Sequence, residues 1–178
     1  MPNSPARIVI VGGGFAGLAA ARRLERDSTP ERVSLTLLNA TNYMTYTPFL
    51  PQAAAGTLEP RHVVVPLRQA LRRTRVRVGR VLAADYAART VRFHSDAGDE
   101  IELGYDQLVL APGSSPRTAP IPGLMDAAVG FATLAEAIWL RNHVLRQLEI
   151  ADATSDPDER QRRLSVDRRV CRRRLRRG

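Results

Sequence analysis

Three glycines at fixed spacing carry the clearest chemistry in this sequence: Gly12, Gly14 and Gly17, in the run Gly12-Gly13-Gly14-Phe15-Ala16-Gly17. A G-x-G-x-x-G run lets the backbone turn tightly and approach a pyrophosphate, and its third glycine lets a helix lie close on the preceding strand. The helix amino terminus then offers its unpaired N–H groups to the anion. A strand-to-helix turn without a ligand would leave three glycines in register unexplained. Context strengthens the motif, because apolar Ile8-Val9-Ile10-Val11 leads into it and Leu18-Ala19-Ala20-Ala21 leads out.

The fingerprint ordinarily has an acidic residue at the end of the second strand, where it holds the ribose hydroxyls of the adenosine. Asn39 stands there instead, 22 residues after Gly17. An amide can still bond to a ribose, although more weakly than a carboxylate. The other reading of Asn39 is a strand-end residue satisfying local backbone. His62, His94 and His143 are far apart and lack the spacing of metal ligands. Cys171 is the only cysteine, which excludes a disulfide framework and a cysteine-ligated cluster.

The elements that must position these residues alternate in an α/β pattern. Arg7 to Val11 reads as a strand apolar on both faces, as a central parallel strand is, and a helix follows from Gly14 to about Arg26. Val33 to Leu38 is the second strand, so one βαβ unit spans roughly thirty residues. Residues 41 to 60 are rich in aromatic, Pro and small residues, a composition and length typical of functional loops. Pro66 suits the first turn of a helix through Leu67, Ala70 and Leu71. From Val76 to Leu103 apolar and polar residues alternate around two turns, which predicts an inserted antiparallel meander. Gln107 to Leu110 is another buried strand, leading into Ala111-Pro112-Gly113. Thr133-Leu134-Ala135-Glu136 matches a capping box, and Leu134, Ile138, Leu145 and Leu148 give the following helix one apolar stripe, with Trp139 expected at its edge in the core.

A chain of 178 residues suits one domain with a real core. No run approaches the roughly twenty apolar residues a bilayer span needs, and the polar start lacks the pattern of a signal peptide, so a cytoplasmic location is expected. The net charge of +9 would suit a nucleic-acid partner, but its distribution argues against one. Residues 1–150 hold 17 Arg against 13 acids, whereas residues 151–178 hold 10 Arg against 5 acids, so the tail contributes most of the excess. All 27 basic residues are Arg, which a GC-rich gene would explain.

Taken together, the glycine run, Asn42-Tyr43 through Thr47-Pro48-Phe49-Leu50-Pro51, Gly56-Thr57-Leu58-Glu59-Pro60, and Leu108-Val109-Leu110-Ala111-Pro112-Gly113 resemble the amino-terminal part of type II NADH dehydrogenases. The resemblance covers residues 6–150 and implies a Rossmann-like, three-layer FAD-binding domain over residues 1–150, with a parallel sheet and the meander inserted. It implies that the FAD pyrophosphate rests on Gly12 to Gly17, Phe15 and Ala16 included. Thr47, Pro48 and Gln52 would line the isoalloxazine, Val81 would lie near the adenine, and Ala111 and Gly113 would close over the phosphates or ribityl chain. Pro112 stands where that family has Thr, which removes a hydroxyl and a backbone donor. Disulfide-reducing relatives keep a Cys pair beside the flavin, and residues 40–55 contain none. The implied path runs from NAD(P)H to the flavin and directly to an acceptor, a quinone by family. Any peripheral membrane association is expected only of a full-length form.

Such an enzyme needs a second glycine fingerprint for NAD(P)H, and the sequence has none. One allowed back-translation of Val166 onward, read one base later, encodes Ser-Ile-Val-Val-Cys-Val-Gly-Gly-Gly-Phe-Val-Gly, which is a strand followed by that fingerprint. The expectation is therefore a one-base insertion near Leu164, a truncated chain with an out-of-frame or disordered tail within residues 151–178, and little or no NADH oxidation by the chain alone. Two other readings stay open: a stand-alone flavin- or nucleotide-binding module, and an Arg-rich tail that binds nucleic acid.

Overall fold

A computed structural model describes residues 4–114, 122 and 129–165. The chain divides into two compact units. The first comprises residues 1–46 and 64–115, and the second residues 47–63 and 116–178.

In the first unit, β1 (Ala6–Val11), β2 (Val33–Asn39), β5 (Arg75–Asp85) and β8 (Gln107–Leu110) run parallel, joined by β6 (Thr90–Ser95) and β7 (Glu100–Gly104) in the order β7-β6-β5-β2-β1-β8. The apolar faces of β1 go to opposite layers. Ile8 and Ile10 pack with Leu18 and Ala21 of α1 (Phe15–Asp27) and with Leu67 of the short α3 (Leu67–Ala70). Val9 and Val11 pack with Val91, Phe93 and Tyr105 on the other side. The sheet therefore has helices on one face and the meander on the other, giving three layers. A small antiparallel pair, β3 (Tyr43–Thr45) with β4 (Val64–Pro66), completes this unit.

The meander differs from a separate insertion in one respect. Its first strand, β5, starts as a parallel neighbour of β2, with Thr36 opposite Arg75 and Asn39 opposite Val78. The strand then continues past the end of β2 as the antiparallel partner of β6, with an irregularity between Val81 and Ala83. Bulges of this kind bend a strand and increase its twist. Phe93 and Val91 are thereby brought onto the second face of the parallel sheet. The Tyr105 hydroxyl donates to the Asp85 carbonyl at 3.1 Å and ties the meander to the entry of β8.

Two polar clamps set the parallel strands. Asp106 accepts from the Arg7 backbone N–H at 2.7 Å and from its guanidinium at 3.1 Å, while its own N–H donates to the Arg7 carbonyl at 2.8 Å. The pair fixes the start of β8 against β1, so that Leu110 lies opposite Val11. Glu25 of α1 accepts from the backbone N–H groups of Arg72, Arg73 and Thr74 and from the Thr74 hydroxyl, at 2.7–3.3 Å. Partial burial pushes the Glu25 carboxyl up, but these donors outweigh it and hold the pKa below the ordinary carboxylate value.

The described elements of the second unit are helical. Within it, α2 (Leu50–Ala54) packs on α4 (Leu134–Ala153), which in turn packs on α5 (Pro157–Leu164). The capping box forms as the sequence predicts: the Thr133 hydroxyl accepts from the Glu136 N–H, and the Glu136 carboxylate accepts from the Thr133 N–H at 2.8 Å. Ala137 and Ala151 are the buried positions of α4. Trp139 is not in the core. It is half exposed and stacks on His143, one turn along, with centroids 4.8 Å apart and planes 9° from parallel. Residues 151–165 hold the end of α4 and the whole of α5, so order extends into the region expected to be a tail. Asp156 caps α5, Pro157 opens it, Asp158 and Glu159 occupy its first turn and Arg162 and Arg163 its last, each at the end the helix dipole favours. Residues 166–178, and with them the out-of-frame expectation, lie outside the described residues.

Candidate functional site: a cradle at the carboxyl edge of the sheet

The site begins where β1 ends. Gly12 has φ +97°, a conformation that side chains disfavour, and a Cβ there would overlap the Ala111 carbonyl oxygen. A Cβ on Gly17 would overlap the carbonyl oxygen of Gly12. These two glycines are therefore required by close packing, one against the loop after β8 and the other against the turn itself. The Gly12 N–H donates to the Leu38 carbonyl at 2.8 Å and the Ala111 N–H to the Val11 carbonyl at 2.8 Å, so both loops hang from adjacent parallel strands.

Gly14 plays a different part. A Cβ there would meet nothing within 4 Å, and Gly14, Phe15 and Ala16 are all exposed. Gly14 is the N-cap of α1 and supplies no side chain to the helix end, and no acidic residue occupies the first turn. The amino terminus of α1 is thus an open, uncompensated positive end beside a tightly folded glycine turn, which is the arrangement that receives an anion. The Phe15 ring meets Tyr46 edge-on, with centroids 5.4 Å apart, at the side of this opening.

Asn39 lies directly under the turn. Its Oδ1 accepts from the Gly13 N–H at 2.8 Å, and its Nδ2 donates to the Thr41 carbonyl at 2.9 Å, with the Thr41 hydroxyl at 3.2 Å and the Tyr43 carbonyl at 3.4 Å. The side chain therefore braces the glycine loop against the turn after β2. Beyond this brace a cavity of about 620 Å³ opens between the residues following β2, Arg68 of α3, Val78 of β5 and the β6–β7 turn.

The structure brings Gly12, Gly14, Phe15, Ala16, Gly17, Asn39, Ala111 and Gly113 to one edge of the first unit. Gly113 has φ +78° and ends the loop that closes on Gly12. Val81 lies on the extension of β5 and packs against the core layer of the meander. Thr47, Pro48 and Gln52 belong to the second unit: Thr47 and Pro48 form a 3-10 turn, and Gln52 lies in α2. The Gln52 carbonyl accepts from the Thr57 N–H at 3.0 Å and the Leu58 N–H at 3.2 Å, which folds residues 52–58 on themselves. The sequence alone does not mark Arg68 or the β6–β7 turn as neighbours of the site, because the long-range packing of α3 and pairing of β5 bring them there. Among the described residues no group of three His, Cys, Asp or Glu side chains could hold a metal. No helix among them is long and apolar enough to cross a membrane.

The family model for pyridine nucleotide-disulphide oxidoreductases matches residues 6–157. The chain belongs to this family. Among curated relatives it is 35% identical to the type II NADH:quinone oxidoreductase NdhA of Mycobacterium tuberculosis, over 89% of this chain and 33% of that protein. It is 34% identical to the demethylphylloquinone reductase NdbB of Synechocystis, over 86% of this chain and 39% of that protein. The chain thus spans between a third and two-fifths of the length of these relatives. The fold matches that of NDH2 from Plasmodium falciparum, with a TM-score of 0.81 at 23% identity over 88% of this chain and 32% of that one.

Proposed function

We propose that this chain is the FAD-binding segment of an oxidoreductase that passes electrons from NAD(P)H through the flavin to an acceptor, with a quinone as that acceptor. The observation that carries the reading is the open amino terminus of α1 set against the packed turn of Gly12 and Gly17. Membership of the oxidoreductase family and the names of the two curated relatives support it.

The residues fit the group. The backbone N–H groups of Phe15 and Ala16 would hold the pyrophosphate, Gly14 leaves room for it, and Ala111 to Gly113 would close over it. Thr47, Pro48 and Gln52 would line the isoalloxazine. The flavin supplies hydride acceptance and electron release when bound. Apart from the Thr47 hydroxyl, none of these residues carries an acid, a base or a nucleophile. The chain's own contribution is therefore to hold the dinucleotide extended, to orient it and to shield it from water.

One glycine fingerprint is present in the 178 residues, and the transfer needs a second nucleotide site. The purified chain is expected to carry flavin absorbance in equimolar amount and to oxidise NADH with a quinone at a small fraction of the rate of a full-length relative. Failure to retain or take up FAD would contradict the cofactor reading. Steady NADH turnover by the chain alone would contradict the division of labour.

A further inference from the structure

We propose that the adenosine end of the dinucleotide is gripped from the β6–β7 turn, by Asp96, and not from the end of β2. The proposal rests on the FAD reading above and assigns a residue within it. The residue at the end of β2 is committed elsewhere. The Oδ1 of Asn39 accepts from the Gly13 N–H at 2.8 Å and its Nδ2 donates to the Thr41 carbonyl at 2.9 Å, with the Thr41 hydroxyl and the Tyr43 carbonyl also in range. Those contacts demand an amide. A carboxylate at position 39 could still accept from Gly13, but it would turn its second oxygen toward two carbonyl oxygens and a hydroxyl already donating to one of them. Asn39 can therefore offer a ribose at most one lone pair of Oδ1, whereas gripping a cis-diol takes two acceptor oxygens.

The cavity beyond the brace offers what Asn39 cannot. Asn39 and Val78 are the last pair in register on parallel strands, so the cavity lies at the carboxyl end of β2 and of the parallel part of β5, the edge at which crevice ligands bind in α/β sheets. At about 620 Å³ it has room for a nucleoside. Its lining contains one carboxylate, Asp96, and one guanidinium, Arg68. The turn that carries Asp96 is held by Ser95 and Asp99: the Ser95 N–H donates to the Asp99 carbonyl at 2.8 Å, and the Asp99 N–H to the Ser95 hydroxyl at 3.2 Å. Among the described residues the side chains of Asp96 and Arg68 have no hydrogen-bond or ion-pair partner. The carboxylate can then accept both ribose hydroxyls, and the guanidinium can lie on the purine face. Asn39 acts as a positioning residue that holds the glycine loop in place.

The test titrates the chain with FAD, ADP and inorganic pyrophosphate, and compares wild type with Asp96→Asn and Asn39→Asp. Asp96→Asn is expected to weaken FAD and ADP about tenfold, to leave pyrophosphate binding unchanged, and to leave the melting temperature of the ligand-free chain unchanged. Asn39→Asp is expected to lower that melting temperature and to tighten nothing. Wild-type affinity for FAD and ADP in Asp96→Asn overturns the inference while the FAD reading stands. Tighter FAD binding by Asn39→Asp at an unchanged melting temperature overturns it as well, because the ribose would then be read from β2. If wild type binds none of the three probes, the FAD reading falls and the inference falls with it.

Discussion

Gly17→Ala sets two effects of known size against each other. Alanine in place of glycine inside a helix is worth about 1 kcal/mol in favour of the variant on propensity alone. The added Cβ, however, would overlap the Gly12 carbonyl oxygen, with the Ile10 side chain also in contact at 3.6 Å. The opposing atom is backbone of the glycine turn, so relief requires α1 to move away from β1. Such overpacking costs roughly 1–3 kcal/mol, and a backbone obstacle places it in the upper half of that range. The net expectation is a loss of about 1–2 kcal/mol, or a fall of roughly 2–8 °C in Tm for a chain of this size. Moving the helix end also displaces the N–H groups of Phe15 and Ala16, so flavin affinity should fall alongside stability. Thermal unfolding of the flavin-free variant followed by circular dichroism, with a flavin titration on the same sample, measures both. A Tm equal to or above wild type would mean that propensity wins, and would refute the close helix–strand approach on which the cradle depends.

Glu25 gives a pH-dependent prediction. Its folded pKa lies below the ordinary carboxylate value, so its stabilising effect is present above the unfolded pKa and is lost as pH falls through the folded one. Glu25→Gln should cost about 1–2 kcal/mol near neutrality, after discounting for partial exposure. The gap between variant and wild type should close below about pH 4 in denaturant titrations, and a gap that stays constant down to acid pH would contradict the assignment. Tyr105→Phe removes the bond to the Asp85 carbonyl and should cost about 1 kcal/mol without altering flavin affinity, as read by urea unfolding and a flavin titration. A larger loss of affinity than of stability would place Tyr105 in the site.

Several features are local enough to be legible in the sequence. The βαβ unit follows from an apolar strand, a glycine turn and an Ala-rich helix, and the capping box at Thr133 and Glu136 depends on residues three apart. The capacity of α1 to face an anion is likewise contained in a few consecutive residues. What was not legible depends on distant partners. The alternation in β5 predicts a strand, but not that its first half pairs with β2 and its second half with β6. The sequence leaves Asn39 open between ribose and local backbone, because Gly13, Thr41 and Tyr43 become its neighbours only when the loops meet. The apolar stripe predicts Trp139 at the core edge, yet the buried face of α4 is set by Ala137 and Ala151, and the ring finds His143 instead. The Arg-rich composition after residue 150 masked the cap and charge order that form α5.

The claim that the glycine turn and the end of α1 receive the pyrophosphate is tested most directly by Gly14→Asp. A Cβ at Gly14 meets nothing, its backbone is extended (φ −76°, ψ −163°), and aspartate is a favoured N-cap. The variant should therefore fold at least as stably as wild type. It places a carboxylate where the phosphate anion would rest, so equilibrium titration should show FAD binding weakened by a hundredfold or more at an unchanged or raised Tm. A stable Gly14→Asp variant that binds FAD as tightly as wild type would contradict the cradle.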